Sequence, residues 1–496
     1  MWNLWLSTVV HCAFGFSSLT QLAALNPIAR HVQGFLVVSF NDSYGRELSE
    51  AGLTMLWSTT STAYYIGMAA GSIVFGAVAD KFGRKATLLV VANCLCICGC
   101  LLQYVGVALL NRLELLILGR GVVGLSAGFA SLLYIFAAEC AADPAQAGYV
   151  ISVVTVTGQF LIAGGTAHNF DFLLGNEKLW RYSFLVPIPV AGLHLLANFW
   201  LPESPKHLYI TNDDEALARK ASAFYLGSQS NWADQKDQFD KEKALRAEAR
   251  QESDSLRKVL STPHLRWPFL LVLVACFALT SGGYDVSSFY STDLLAEFGV
   301  EERHAILLTV LAMQLPAALL ALLVAFSRVI DRFGRKPVYL FGLAIGIVAT
   351  AALFVAGQTP GNRVTLRRSL LILGLILGQT STEIGPVLVS FVLSVEIVPQ
   401  SSRALTAGIS LAASFFSSIA FALLYPPLNQ AAGSFAALPL TAVGLSAFLF
   451  LWKYLPESKG KTVDEVVALW KCHGQRSGNR GSAVEFEETQ TMVADA

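Results

Sequence analysis

Charged side chains are scarce in this sequence. Of its 496 residues only 14% are Asp, Glu, Lys or Arg, whereas 54% are hydrophobic and the mean hydropathy is +0.54. A water-soluble globule of this length needs many more polar side chains to cover its surface. The composition therefore predicts an integral membrane protein.

An excess of charge of either sign is also missing. The chain carries 35 Lys and Arg against 35 Asp and Glu, and no stretch of it forms a basic face. A nucleic acid or an acidic polymer is therefore not an expected partner. The lipid bilayer is the partner that the composition predicts.

Cysteine is sparse, and its placement argues against a metal site. Cys94, Cys96, Cys98 and Cys100 alternate along one presumed helix, so that successive thiols point to different faces. A tetrahedral metal site needs ligands that converge. We expect no metal and no other cofactor, and since no nucleophile and base stand at a coherent spacing, we do not expect an enzyme.

Long apolar segments, by contrast, are abundant. A bilayer core takes about 20 apolar residues per helix, and these runs are too long and too continuous for barrel strands. We predict an all-α membrane protein with twelve transmembrane helices, six in each half of the chain. Spans 1 to 12 are predicted near residues 5–25, 56–79, 86–109, 113–137, 149–170, 181–201, 268–292, 304–326, 337–357, 368–395, 403–427 and 433–455.

The two halves repeat the same short motifs. Asp80-Lys-Phe-Gly-Arg-Lys85 returns as Asp331-Arg-Phe-Gly-Arg-Lys336 about 250 residues later, and Pro202-Glu-Ser204 returns as Pro456-Glu-Ser458. Such repeats indicate a duplicated helical bundle. We expect an N-terminal six-helix bundle over 1–201, a cytoplasmic helical linker over 202–267, a C-terminal six-helix bundle over 268–456 and a cytoplasmic tail over 457–496.

Basic residues indicate how the chain lies in the membrane. The loops between spans 2 and 3 and between spans 8 and 9, which carry the two motif copies, are rich in Lys and Arg. We call this side the motif face and predict that it is cytoplasmic, together with both termini. The Asn-x-Ser/Thr sequence of the chain, at Asn41, then falls on the opposite face, where glycosylation is expected.

Charged residues near the span ends form a matched set. Charges in membrane helices are costly and tend to be paired or functional. We expect them to hold the two halves together on the cytoplasmic side and to separate when that side opens; helix capping is the plainer alternative. Glu139 and Arg120, placed at the cytoplasmic ends of spans 4 and 5, are expected to be available as partners for Asp80 and Arg84. The set comprises Asp80, Arg84, Arg120, Glu139, Asp331, Arg335, Glu396 and Arg403.

These motifs resemble those of a known family. The two copies that begin at Asp80 and Asp331, together with Pro202-Glu-Ser-Pro-Lys206 and Pro456-Glu-Ser-Lys-Gly-Lys461, are similar to motifs of the major facilitator superfamily. Within it, the sequence is closest to the sugar porters and to the facilitative glucose transporters. The resemblance covers nearly the whole chain. It implies two pseudo-symmetric six-helix bundles and transport by alternating access, with the sugar bound at the bilayer midplane.

The resemblance also implies a sugar site on spans 5, 7, 10 and 11. Asp285 stands where the family usually has an asparagine, and two glutamines of span 7 are replaced by Leu279 and Thr280. In span 5 the glutamine of the family is matched by Thr155 or replaced by Gln159 one turn along. For the two phenylalanines, ordinary helix packing is as good an interpretation as sugar contact. The implied contacts are Gln159, Asp285, Glu383, Phe391, Ser414 and Phe415, with Tyr290 as an outer gate.

Two departures from the family pattern bear on mechanism. Gln21 stands at the position of the acidic residue that couples transport to protons, which favours facilitated diffusion of a hexose such as glucose. Glu139 is not followed by the usual Arg, which predicts a weaker charge pairing in the first half than in the second.

Other functions are still open on the sequence alone. A carboxyl at membrane depth, Asp285, could carry a proton, so a proton-coupled carrier or a polyol or organic-solute carrier of the same fold is one alternative. A non-transporting nutrient sensor is another, although such sensors tend to have a longer cytoplasmic tail.

Overall fold

The computed structural model describes most of the chain. The described residues are 4, 7–8, 10–11, 15, 17–130, 132–140, 144–227, 231–251, 255–327, 329–459 and 465–466, and for some residues inside helices only the backbone is described. Most of the predicted tail therefore lies outside the described residues.

The described residues form helices and contain no strand. Five helical stretches are long and apolar enough to cross a bilayer, namely Glu50–Phe82, Arg84–Leu109, His304–Val324, Arg335–Gln358 and Leu405–Tyr454. They coincide with the predicted spans 2, 3, 8 and 9 and with spans 11 and 12 taken together. The other spans are interrupted or only partly described.

The first half runs from span 1 to span 6. Span 1 ends in a 3₁₀ helix, Ser17–Gln21, and a separate helix, Ala29–Tyr44, follows it on the opposite face. Span 3 is one continuous helical stretch with two π-helical turns. The remaining helices are Glu50–Phe82 (span 2), Arg84–Ala86, Thr87–Ala92, Asn93–Tyr104 and Val105–Leu109 (span 3), Leu113–Ala130 and Leu132–Glu139 (span 4), Pro144–Ala167 (span 5), and Trp180–Leu185 and Pro187–Ala197 (span 6).

In the part of the linker that the structure describes, four helices connect the halves, as its charged and Ala-rich sequence predicts. They are Pro205–Ile210, Glu215–Leu226, Trp232–Gln251 and Leu256–Ser261. Three of them begin at a side-chain cap, because Ser204, Asp214 and Ser255 each accept a hydrogen bond from a backbone N–H of the first turn.

The second half contains spans 7 to 12. Its helices are Pro263–Ala278 and Tyr284–Glu297 (span 7), Glu302–Leu308, Thr309–Gln314 and Leu315–Ser327 (span 8), Val329–Phe333, Arg335–Gln358 (span 9), Val364–Ile384 and Pro386–Glu396 (span 10), Gln400–Ala432 (span 11), and Gly433–Ala437 and Leu438–Tyr454 (span 12).

Spans 7 and 10 are broken within the membrane. In span 7 the helix stops after Ala278 and restarts at Tyr284, and Gly283 between them has a φ of +86° that favours glycine. In span 10 the break falls at Gly385, because Pro386 lacks the N–H that would continue the helix. Such breaks expose backbone polar groups at depth, where a carrier binds its solute.

The apolar core is arranged differently at the two faces. Toward the opposite face one cluster joins both halves and includes Tyr65, Phe289 and Tyr425. Toward the motif face the first half has its own cluster around Phe136, and the second half has another around Tyr339. The two halves therefore share a core near the opposite face and keep separate cores near the motif face.

Candidate functional site

A carboxylate caps the start of span 9 on the motif face. Both oxygens of Glu457 accept backbone hydrogen bonds, from the N–H of Arg335 at 2.8 Å and from the N–H of Lys336 at 3.0 Å. A negative charge at this position also stabilises the positive end of the helix dipole. Gly334 leaves room for the carboxylate, since a Cβ there would lie 2.6 Å from a Glu457 oxygen and its φ is +95°.

The first half repeats this cap. Glu203 accepts from the N–H of Lys85 at 3.0 and 3.1 Å, and a Cβ on Gly83 would lie 2.4 Å from its carboxylate. Burial raises the pKa of the Glu203 carboxyl, although the N–H groups of Ser204 and Lys85 act in the opposite direction. The repeated Pro-Glu-Ser motif thus has a structural role that the sequence alone did not specify.

The arginine that follows each glycine pairs differently in the two halves. Arg335 contacts both oxygens of Glu396, with Nη2 at 2.8 Å from Oε1 and Nε at 3.0 Å from Oε2. In the first half, Arg84 Nη1 lies 2.7 Å from Asp80, and Nε lies 3.7 Å from Glu139. The first-half pair with the glutamate is the weaker one, as the departure after Glu139 predicts.

The described contacts of this charge set stay within one half each, and the expectation that the set joins the two halves when the motif face is closed stays a prediction. Arg84 with Glu139 lies within the first half, and Arg335 with Glu396 lies within the second. The reason is that each Pro-Glu-Ser motif follows the sixth span of its own bundle and returns to the motif loop of that bundle. The side chains of Asp331 and Arg403, which belong to the predicted set, lie outside the described residues.

Arg120 is also placed differently from the prediction. It is fully buried two turns into the helix Leu113–Ala130, far along span 4 from Glu139. Its Nη1 donates to the backbone oxygen of Gln21 at 2.6 Å, and its guanidinium lies 5.0 Å from the ring centre of Tyr64. Arg120 therefore holds the end of span 1, and none of its described contacts reaches the motif-loop charges Asp80 and Arg84.

Two of the predicted solute contacts meet across the halves. Gln159 of span 5 donates from Nε2 to Oε1 of Glu383 in span 10 at 2.6 Å. Glu383 is buried and lies just before the break at Gly385. This contact therefore links the two halves at membrane depth.

A second polar contact across the halves involves a residue that the sequence analysis missed. The hydroxyl of Tyr65 in span 2 donates to Oδ1 of Asp285 at 2.6 Å. Asp285 is only 1% exposed and stands in the first turn of the helix that restarts span 7. Tyr65 stands beside Tyr64 and follows the Ser and Thr residues at 58–62, so the sequence did not show which of these hydroxyls points to the other half.

Removing the Tyr65 hydroxyl should favour conformations that are open at the opposite face. Tyr65→Phe deletes a bond that exists only while spans 2 and 7 are together, so we expect the open fraction to rise by about two- to tenfold. Spin labels at Gly45 and Gly361, on opposite-face loops of different halves, report the distance. Tyr64→Phe is the control, because its hydroxyl donates to Ser18 O within the first half. Equal changes in both variants would contradict the role of Tyr65.

The predicted solute contacts on span 11, Ser414 and Phe415, make no described hydrogen bond to the other half. Ser414 donates to Leu411 O of its own helix at 2.7 Å, and Phe415 is half-buried. One polar contact between spans 7 and 11 is made by Thr280 and Ser417, whose hydroxyl oxygens lie 2.7 Å apart. The side chain of Phe391 lies outside the described residues.

Tyr290, the predicted gate, lies where the halves close toward the opposite face. Its hydroxyl donates to a backbone oxygen of span 11 at 2.6 Å, and its ring stacks on Tyr425 with centres 6.1 Å apart. Nearby, Asn26 after span 1 donates to Ser291 Oγ at 2.8 Å and accepts from the N–H of Thr292 at 3.0 Å. These contacts tie spans 1, 7 and 11 together.

The cysteines of span 3 alternate as predicted, since Cys96 and Cys100 are buried whereas Cys94 and Cys98 are exposed. Among the described residues, no three His, Cys, Asp or Glu side chains converge in a way that could hold a metal ion.

Comparison with known proteins decides the family. The family described as "Sugar (and other) transporter" matches residues 10–470 of the chain. The chain belongs to this family. Its members are sugar transporters in membranes, which agrees with the prediction of a multi-pass membrane carrier.

Curated relatives in the sugar transporter family share about a quarter of the sequence. Human "solute carrier family 2, facilitated glucose transporter member 9" is 28% identical over 468 residues, which cover 92% of this chain and 83% of the relative. Mouse member 7 is 27% identical over 504 residues and covers 98% and 92%. Human member 5 is 27% identical over 474 residues and covers 93% and 90%.

Solved structures confirm the fold predicted for this sugar transporter family member. The inward-open xylose transporter XylE from E. coli superposes with a TM-score of 0.73 at 21% identity, and covers 94% of this chain and 100% of that one. The proton:xylose symporter XylE bound to 6-bromo-6-deoxy-D-glucose gives a TM-score of 0.71 at 21% identity, covering 94% and 99%. The predicted major facilitator fold is therefore correct.

Proposed function

We propose that this protein carries a hexose such as glucose across the cell membrane by facilitated diffusion. The observation that carries the proposal is the bond between Gln159 and Glu383, a polar contact between the two halves next to the break in span 10. Sugar hydroxyls need buried polar partners, because an unpaired buried polar group costs about 1–3 kcal/mol. Asp285 and the Thr280–Ser417 pair add further hydrogen-bonding groups at the same interface.

The proposed mechanism is alternating access between two bundles. The shared core and the contacts of Tyr290 and Asn26 support closure at the opposite face, while the separate cores support access from the motif face. In this proposal the motif face, the linker helices and both termini are cytoplasmic. Asn41 is then extracellular and can be glycosylated.

The hydrogen-bond acceptor of Arg120 supports facilitated diffusion over proton coupling, because that acceptor does not titrate. Its guanidinium is bound by the backbone oxygen of Gln21, and the Gln21 amide donates to Ser183 O at 3.1 Å. Neither a backbone carbonyl nor an amide titrates, so this part of span 1 cannot take up and release a proton during transport.

The second candidate function is proton-coupled transport, which the buried carboxyls of Asp285 and Glu383 favour. The two candidates differ in a measurement on vesicles that contain the purified protein. We expect saturable uptake of radiolabelled glucose that is insensitive to an imposed proton gradient and is retained in Asp285→Asn. Gradient-driven accumulation that Asp285→Asn abolishes would support coupling. Absence of glucose uptake under both conditions would overturn the hexose proposal.

A further inference from the structure

A cavity of about 270 Å³ lies in the second bundle near the opposite face. The ends of spans 7, 9 and 11 and the start of span 10 enclose it, and the short helix Gly433–Ala437 that leads into span 12 closes one side. We call it the bundle cavity. Its described lining residues all belong to the second half, so it is separate from the contact of Gln159 with Glu383 between the halves.

Two side chains of opposite charge line the bundle cavity, Glu297 at the end of span 7 and Arg367 near the start of span 10. The Arg367 guanidinium packs 4.1 Å from the ring centre of Phe298, and its Nε is buried without a hydrogen-bond acceptor among the described residues. The carboxylate of Glu297 accepts one long hydrogen bond, from Nδ2 of Asn429 at 3.4 Å. Within the part of the chain that the structure describes, no ion pair joins the two charges, so both are available to a ligand.

The rest of the wall is largely apolar. Leu353 and Leu371 are buried, with exposed fractions of 6% and 2%, and the rings of Phe298 and Phe435 border the same space. Sites for drug-sized ligands have volumes of about 300–1,000 Å³, so the bundle cavity fits a smaller molecule. It therefore offers a cation, an anion and an apolar surface to one small ligand.

This combination favours a small zwitterion that has an apolar substituent. Its carboxylate can accept from the free Nε of Arg367, and its ammonium group can donate to the carboxylate of Glu297. An ion with a single charge would pair with only one of these two side chains. The headgroup phosphoethanolamine carries both charges, but it has no apolar group to cover Leu353 and Leu371. An aliphatic α-amino acid has all three features.

The bundle cavity shares a wall with the gate. Tyr425 lines the cavity from span 11, and its ring stacks on Tyr290 with centres 6.1 Å apart. Glu297 ends the helix that carries Tyr290, and this helix can move separately because span 7 is broken before it. A ligand that bridges Glu297 to Arg367 of span 10 ties the helix in its present position, in which the gate is closed.

We propose that the bundle cavity is a regulatory site for an aliphatic α-amino acid, whose binding holds the gate at Tyr290 closed and slows transport. Glu297 and Arg367 select the ligand, because they bind its two charged groups. The binding itself is independent of which solute is carried, whereas the effect on uptake rests on the proposed hexose transport.

Thermal unfolding of the purified full-length protein in detergent tests the binding, with L-leucine as the probe. A ligand that binds only the folded protein stabilises it, so we expect a saturable rise of the melting temperature by about 2–4 °C. Two matched probes carry one charge each, since isocaproate is leucine without the amino group and isopentylamine is leucine without the carboxylate. Each should shift the melting temperature by less than about 1 °C.

Four variants test the two charged residues. Glu297→Gln and Arg367→Gln each remove one charge, so we expect both to lose the stabilisation by leucine and to keep glucose uptake in its absence. Glu301→Gln and Arg363→Gln are the matched controls, because these exposed residues are close in sequence but do not line the cavity. They should keep the shift. Size-exclusion profiles show that each variant is folded.

Uptake of radiolabelled glucose into vesicles tests the effect on the gate. In the native protein, saturating L-leucine should lower the initial rate of uptake by about two- to fivefold, because it favours the closed state. Uptake by Glu297→Gln and by Arg367→Gln should not respond to leucine.

The outcomes separate the inference from the proposed function. No shift with leucine, an equal shift in Glu297→Gln and Arg367→Gln, or equal shifts with the single-charge probes would overturn the amino-acid site. A larger shift with phosphoethanolamine than with leucine would overturn it in favour of a lipid headgroup. Leucine binding that leaves glucose uptake unchanged would overturn the effect on the gate. Leucine binding to a protein that takes up no glucose would leave the site standing and overturn the proposed function.

Discussion

Glu383→Leu is expected to lower glucose uptake by about 30- to 100-fold. The substitution removes a buried carboxylate that accepts from Gln159 across the two halves at 2.6 Å. Leaving the Gln159 amide without its acceptor costs about 1–3 kcal/mol, and the upper part of that range corresponds to this factor. The measurement is the initial rate of radiolabelled glucose uptake into vesicles with a fixed amount of folded protein.

Glu383→Gln is the matched control. Its amide oxygen can still accept from Gln159, so the contact between spans 5 and 10 is kept while the carboxyl group is replaced. We expect a loss of less than about tenfold. If the Leu variant transported as well as the Gln variant, the bond between Gln159 and Glu383 would have no part in solute binding.

Glu396→Gln is expected to lower the melting temperature by about 3–6 °C. Both oxygens of Glu396 are bound by Arg335, and the exposed fractions of the two side chains, 25% and 15%, mean that solvent screens the pair only in part. A loss of about 1–2 kcal/mol follows, and for a bundle of this size 1 kcal/mol shifts the melting temperature by about 2–4 °C.

Glu139→Gln makes the same change in the first half and should shift the melting temperature by less than about 2 °C. Arg84 approaches Glu139 only to 3.7 Å. In the native protein Ser204 Oγ donates to Glu139 at 2.6 Å, and the amide oxygen of the variant can still accept this bond. Thermal unfolding in detergent measures both variants. A shift in Glu139→Gln as large as that in Glu396→Gln would show that the two charge pairs are equally strong.

The repeated motifs made the fold predictable, because duplication and long apolar runs are visible without any knowledge of contacts. They did not show where each charge would bind. A glutamate after a proline can cap a helix, face water or pair with the other half, and only the return of the chain to its own bundle decides between these possibilities. The sequence therefore shows Glu203 and Glu457 as parts of a repeated motif, and only the structure shows that they cap helices.

The depth of individual polar side chains in the membrane was harder to predict than the fold. Arg120 was assigned to a span end because charges usually lie there, whereas it is buried two turns inside span 4, where a backbone oxygen and the ring of Tyr64 accommodate it. Tyr65 and Asn26 were missed for a related reason. The sequence shows that each has a polar group, but it does not show whether that group faces lipid, its own bundle or the other half.

The caps at Glu203 and Glu457 bear on how the protein is made. Each bundle is completed by a residue that directly follows its last span, so the ribosome needs to synthesise little beyond residue 203 before the first bundle can close its own loop. The second bundle must wait for residue 457. Since domains fold in order during synthesis, the first bundle can mature in the membrane while the second is still being translated.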